Sequence, residues 1–311
     1  MLLYVLIIRR LRIPSFVPMW IALLAPCALV SLQCRVVLAH DSTRDEIETL
    51  STRIRGGEAT ASDLLRRGEL HRLNGEWAAA AADYDRAALL DPASPRVPLC
   101  RAALFLAVGS ADAAKRTLDR VLGRAPDDAD ALQLRAQALI ALGRPLQAVR
   151  DLDRMLAHIK RATPDHYLER ARTLLGCGER YIGRALEGVD EGIQRLGTIV
   201  SLELFAIDLE LRRRQFDAAL ARLDRLAPQL GQAGILLERR GELLAAAGRS
   251  DEARAAFAAA LAEIESLAPQ RRSTLAVVER EARLRAAVGV APAPVDQPAS
   301  HANSSPGEDP R

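Results

Sequence analysis

The sequence predicts an all-α fold, a solenoid of about six helix-turn-helix units closed at its C-terminal end by a capping helix. Three observations carry this. Ala and Leu dominate the 311 residues and aromatics make up only 4%, a balance that favours helices over sheets. A small residue returns at Ala80, Ala114, Ala148, Ala185, Ala219 and Ala253, and four residues after each stands an apolar or aromatic one: Tyr84, Leu118, Leu152, Val189, Leu223 and Phe257. An upstream series, Gly68, Ala102, Ala136, Ala171, Ala206 and Gly241, keeps the same period of about 34, and in five of the six units a Gly follows seven residues later (Gly75, Gly109, Gly143, Gly178, Gly248). Two series holding one period mark an internal repeat. A single hairpin of such helices cannot bury its apolar faces, whereas a stack of them can.

The elements follow in order. Arg9, Arg10 and Arg12 precede an uncharged run from Phe16 to Leu32, and Val37 and Ala39 form a small-residue cleavage site before His40. Residues 1–39 therefore read as an export signal peptide, with an uncleaved membrane anchor as the alternative. Cys27 follows Pro26 and Cys34 follows Gln33, neither of which suits a lipoprotein site, and Leu11 and Arg12 after the arginine pair suit twin-arginine export badly. Residues 40–60 are amphipathic through Ile47, Leu50 and Ile54 and predict an N-terminal helix. The array covers 61–265. Residues 266–288 contain an apolar and charged alternation at helical spacing and predict the cap. Residues 289–311, rich in Pro, Ser and Ala, predict a disordered tail.

Within each period a first helix, a Gly-containing turn and a second helix are expected, with Trp77, Tyr84 and Phe257 filling the spaces where one unit stacks on the next. Gly68, Gly75, Trp77, Ala80, Tyr84, Ala87 and Pro92 resemble the signature positions of the tetratricopeptide repeat, and Gly241, Gly248, Ala253, Phe257 and Ala260 repeat most of them. The likeness runs over all six units. It departs in unit 4, where the turn around Cys177 carries two extra residues, and in unit 5, where Arg214 stands in place of Gly. The resemblance implies a right-handed solenoid, and together with the export signal the chain reads as a repeat protein of the exported bacterial type. The bacterial assignment also draws on the basic residues, of which 41 of 43 are Arg.

Little in the chain suggests catalysis. No Ser nucleophile motif, phosphate-cradling Gly loop or paired Cys ligands occur, and no two of the five His share metal-ligand spacing. Neither an enzyme activity nor a cofactor or metal is expected. Cleavage would make His40 the first residue, with amine and imidazole able to chelate copper, but the simpler reading is a residue tolerated beside the cut. His71 is expected to pack between helices, and His158 and His166 to lie at the surface. Asp127, Asp128 and Asp130 read as capping and dipole groups at a helix start. Cys100 and Cys177 belong to units two apart, which excludes a bridge between them. Without residues 1–39 the chain has 39 basic and 40 acidic side chains, so no electrostatic footprint for nucleic acid is left.

The resemblance places partner contacts on the first helix of each unit, at positions three before, one after and four after its small residue. These are Leu65, Glu69 and Arg72; Leu99, Ala103 and Leu106; Gln133, Gln137 and Ile140; Leu168, Arg172 and Leu175; Glu203, Ile207 and Glu210; and Glu238, Glu242 and Ala245. A concave groove results, apolar in its middle and acidic towards the C-terminal end. It lacks the Lys and Asn by which some relatives clamp a chaperone's C-terminal carboxylates. The expected partner is a protein or peptide with apolar anchors and some basic residues, bound by a non-catalytic scaffold or adaptor of the cell envelope. An accessory or assembly subunit of an envelope enzyme or transporter complex is the alternative. Membrane contact is expected only if the N-terminal segment stays uncleaved, and the cleaved form would be periplasmic or secreted.

Overall fold

The structure, a computed structural model, describes residues 43–229 and 233–289. The expected leader or anchor, His40 and residues 290–311 of the expected tail lie outside these residues. Every regular element described is helical, and no strand occurs among the described residues. None of these helices is long and apolar enough to cross a membrane. The fold is all-α and of the solenoid class, with helical hairpins packed on their neighbours in sequence.

The chain divides into two compact bodies, one ending at Leu142 and the other beginning at Gly143. The N-terminal body holds α1 (43–55), α2 (Ala61–Leu73), α3 (Trp77–Leu90), α4 (Arg96–Ala107), α5 (Ala111–Arg124) and α6 (Ala129–Ala141). The C-terminal body holds α7 (Pro145–His158), α8 (Pro164–Gly176), α9 (Ile182–Leu196), α10 (Val200–Arg212), α11 (Phe216–Leu226), α12 (Ala233–Ala246), α13 (Ser250–Glu265), the single turn α14 (Pro269–Arg272) and α15 (Leu275–Val288). In the first body α2 packs on α3 and α4 on α5, while α2, α4 and α6 also touch in a row, so the first helices form a layer of their own.

Local chemistry sets the helix ends. Thr60 and Asp63 form a capping box at α2: the Asp63 amide donates to Thr60 Oγ1 (3.1 Å) and the Thr60 amide donates to Asp63 Oδ2 (3.0 Å). Asp128 caps α6 by accepting from the Ala131 amide at 2.8 Å. The turns inside the hairpins share one device. The Glu76 amide donates back to His71 O (2.8 Å) and the Gly75 amide to Arg72 O (3.1 Å), a pair that satisfies the last carbonyls of α2 only when residue 75 is left-handed (φ 78°). The same two bonds recur at Gly109, Gly248 and Arg214. Arg214, with φ 58°, is the one non-Gly residue of positive φ among those described, so the hairpin imposes the conformation even where the sequence does not offer Gly.

The period-setting residues face the hairpin interiors. Ala80, Ala114, Ala148, Ala185 and Ala219 are fully buried, as are Ala102, Ala136 and Ala206. The two Gly-bearing first helices meet aromatics: a Cβ on Gly68 would come 2.5 Å from Tyr84 Cε1, and one on Gly241 2.5 Å from Phe257 Cδ1. Where the first helix carries Ala102 or Ala136 instead, the corresponding residue of the second helix is Leu118 or Leu152. Tyr84 thus fills a gap inside its own hairpin, against Gly68, and also belongs to the core that joins this hairpin to Val97 and Leu104 of the next. Phe257 is half-buried against Gly241 and packs on the clusters of Leu220 and Leu223 and of Leu261 and Leu284, and Trp77 is 41% exposed, beside Gly75.

A third periodic series, unread in the sequence, ties one hairpin to the next. Asp85, Asp119, Asp153, Asp190 and Asp224 each lie five residues after the small residue of a second helix, and Arg101, Arg135, Arg170 and Arg240 each lie one before the small residue of the following first helix. Arg101 pairs with Asp85 (2.6 Å), Arg135 with Asp119 (3.0 Å), Arg170 with Asp153 (3.4 Å) and Arg240 with Asp224. Partly exposed pairs of this kind contribute about 0–1 kcal/mol each. Their regular recurrence fixes how consecutive hairpins align more than it stabilises them.

Candidate functional site

In the N-terminal body the layer of α2, α4 and α6 bears a groove of about 740 Å³ lined by residues of all three helices. Leu65, Leu99, Cys100, Ala103 and Leu134 supply its apolar surface, and Leu65 also belongs to the buried core with Leu64, Tyr84 and Val97. Ser62, Arg66, Glu69, Arg96, Asp130 and Gln133 complete the lining. Five expected contact residues, Leu65, Glu69, Leu99, Ala103 and Gln133, therefore come together in one depression. Arg72 lies half-buried next to Glu69, while Gln137 and Ile140 are exposed further along α6.

Several of the groove's charges are already spoken for. Arg66 makes a two-pronged bond to Glu46 of α1 (2.7 and 2.9 Å). Glu69 accepts two bonds from Arg72 (2.9 and 2.5 Å) and one from the Tyr84 hydroxyl (3.2 Å). The Arg72 guanidinium holds the Glu69 carboxyl below its ordinary range, and burial pushes both the Tyr84 hydroxyl and the Cys100 thiol up. At neutral pH the groove thus presents a neutral thiol and a tethered carboxylate. Neither group is set up for nucleophilic work. Arg96 and Asp130, exposed at the starts of α4 and α6, have no ion-pair partner among the described residues.

The C-terminal body departs from the expected groove. Glu203 is 3% exposed and Glu210 4%, and both bind Arg222: Nη1 donates to Glu203 Oε2 (3.0 Å) and Nη2 to Glu210 Oε1 (2.7 Å). Arg222 also reaches Asp190 (2.9 Å), and these carboxylates drive its pKa upward against the cost of burial. The cause lies in the Arg/Asp ladder. Phe205 occupies the position where Arg would meet Asp190, so Arg222 of α11 takes over that carboxylate and joins it to Glu203 and Glu210. Glu203 is accordingly a structural anion and presents nothing to a partner.

Most of the other expected contacts in this body are also committed. Leu168 and Ile207 are buried, Ile207 in the core with Leu223, Leu236 and Leu243. Arg172 is exposed with its guanidinium 5.7 Å from the Phe205 ring. Glu238 accepts from Arg280 Nε of α15 at 2.5 Å, with Arg283 at 3.6 Å, and Glu242 pairs with Arg239 at 2.7 Å. The expected acidic end is therefore neutralised from within, because the last helix lays arginines across Glu238. That removes the acidic end as a reason to expect basic residues in the partner.

The remaining candidates have local roles. His71 binds Glu76 through Nδ1 across the α2–α3 turn. His166 caps α8, its Nδ1 accepting from the Thr163 amide at 3.0 Å, and so is more than a bystander at the surface. Cys100 and Cys177 are free thiols, and Cys177 is half-buried with its Sγ 3.3 Å from Thr173 O. Among the described residues no group of three or more His, Cys, Asp or Glu is placed to hold a metal ion.

Comparison with known proteins agrees with this architecture. Two family models match: a tetratricopeptide repeat over residues 71–138 and a tetratricopeptide repeat-like domain over 186–277. No match was found among curated proteins. Among solved structures, the C-terminal part of a TPR repeat-containing protein from Cytophaga hutchinsonii is similar at 11% identity over 72% of this chain and 93% of that one, with a TM-score of 0.51. A tetratricopeptide repeat protein from Parabacteroides merdae aligns at 17% identity over 78% and 99% of the two chains (TM-score 0.43), and Pseudomonas aeruginosa PilF at 18% over 72% and 97% (TM-score 0.49). At these identities the structural likeness speaks to the fold alone. Repeat period, hairpin geometry and family models converge, and the chain belongs to the tetratricopeptide-repeat proteins.

Proposed function

We propose that this chain is a non-catalytic scaffold of the cell envelope that holds a protein partner by an extended, mainly apolar peptide segment laid along the groove of α2, α4 and α6. Tetratricopeptide-repeat folds generally serve protein–protein contact and not catalysis. The observation that carries the reading is the groove itself, which has an apolar surface from three consecutive first helices, while Glu69 and Arg66 are held in internal ion pairs. A peptide entering it strips no free charge of water at those two positions. Arg96 and Asp130 are left to orient the segment through one acidic and one basic group of the partner. The envelope assignment rests on residues 1–39 and their cleavage site.

The test compares capture from the organism's own envelope extract by the natural chain, by Leu99→Glu and by Arg124→Glu. Leu99→Glu puts a charge on the groove wall, and Arg124 lines a separate depression between α3, α4 and α5. The expected outcome is a partner retained by the natural chain and by Arg124→Glu but lost with a still-helical Leu99→Glu. Equal recovery by all three would remove the groove as the recognition surface. The intact mass of the same preparation reads export, which predicts a chain beginning at His40.

A further inference from the structure

The last helix, α15, has the character of a first helix on which no second helix of its own packs among the described residues. In α2, α6 and α8 the small residue lies seven positions after the helix start, which on α15 is Ala282. Four residues before that position four of the six first helices place Leu64, Leu132, Tyr167 and Leu202, all fully buried, and the other two place Pro98 and Leu237, both half-buried. The corresponding residue of α15 is Val278, which is 49% exposed, and Leu275 one turn earlier is 68% exposed. Leu284 and Glu281 on the opposite face are buried, Leu284 with Ala260, Leu261 and Ile264. The stripe Leu275, Val278, Ala282, Ala286 is therefore the side of α15 that a second helix would cover.

We propose that this face pairs with the same face of a second copy of the chain, α15 against α15, antiparallel about a two-fold axis near residue 281. The face is self-complementary in size and in charge. In that register Leu275 lies over Ala286 of the second copy and Val278 beside Ala282, so each large side chain meets a small one. On one flank Glu279, which has no ion-pair partner among the described residues, comes level with Arg283 of the second copy, two-thirds exposed and held within its own chain only by Glu238 at 3.6 Å. A two-fold interface repeats both contacts. One 14-residue helix is only about 21 Å long, so the contact falls at the small end of specific interfaces and the dimer depends on concentration.

Sedimentation velocity of the full chain across a concentration series tests this, with circular dichroism confirming that each variant stays helical. The natural chain is expected to pass from monomer to dimer, and Val278→Glu to raise the dissociation constant by roughly tenfold or more. Glu279→Arg and Arg283→Glu should each weaken the dimer, and the double exchange should restore it, because it rebuilds the same pair with the charges reversed. A natural chain that stays monomeric at all concentrations overturns the proposal. So does a dimer unmoved by Val278→Glu, or a double exchange no better than the single ones.

Discussion

The two bodies of this chain are built on one repeat and part ways at one rung of its charge ladder. In the N-terminal body the inter-hairpin pairs, Arg101 with Asp85 and Arg135 with Asp119, are regular and partly exposed, and the row of first helices keeps an open apolar groove. In the C-terminal body one exchange, Phe205 for the ladder's Arg, moves the compensating charge indoors. A single guanidinium, Arg222, holds Asp190, Glu203 and Glu210, with both Glu residues out of solvent. A periodic surface pair tolerates the loss of one member, but a buried cluster does not, so the same repeat yields an open apolar groove in one body and a polar core in the other.

The largest test of this contrast is Arg222→Met. It leaves Glu203 and Glu210 buried without a counter-ion and should cost about 3–5 kcal/mol, read as a fall in the urea midpoint of the helical signal. Arg101→Met, which breaks an exposed rung of the ladder, should cost under about 1 kcal/mol. Exchanging Glu203 and Glu210 for Met in the Arg222→Met background should recover most of the loss, since an apolar cluster of similar volume replaces the ions. A small effect of Arg222→Met would mean that water reaches the cluster and that the two bodies differ less than their geometry indicates.

Packing inside the hairpins gives the next test. Gly68→Ala would drive a methyl into the ring of Tyr84, which is fully buried and has no room to give way, and should cost about 1–3 kcal/mol in thermal unfolding. Gly241→Ala makes an equally close approach to Phe257, but that ring is half-buried and can swing outward, so the cost should be the smaller of the two. Equal losses would show that the C-terminal hairpin is held as firmly as the N-terminal one. The smallest effect is a gain. Arg214→Gly should stabilise by up to about 1 kcal/mol, because a left-handed residue with a Cβ carries a steric penalty that Gly avoids.

Much of the fold was legible in the residues. Ala80, Ala114 and Gly68 recur because a helix hairpin admits only small side chains where its axes come close, and Gly75 and its equivalents recur because the turn needs a left-handed residue. Both demands act within one hairpin and leave periodic marks. The Arg/Asp ladder left the same kind of mark at Asp85, Asp119 and Asp153 and at Arg101, Arg135 and Arg170, and a search for polar as well as apolar periodicity would have found it. The candidate site was legible only in part. Leu65, Glu69, Leu99, Ala103 and Gln133 share one groove, yet Glu203 and Glu238, read as its acidic end, are neutralised by Arg222 and Arg280, which lie 19 and 42 residues away in the chain.

What the sequence determined by itself is the hairpin: helix, turn and helix, repeated at a fixed period, because backbone conformation and close packing act on residues near one another along the chain. Only the tertiary structure decided which charged groups meet a partner and which meet each other. An ion pair depends on distance in space, and a carboxylate looks the same in sequence whether water or an arginine from a later helix stands in front of it.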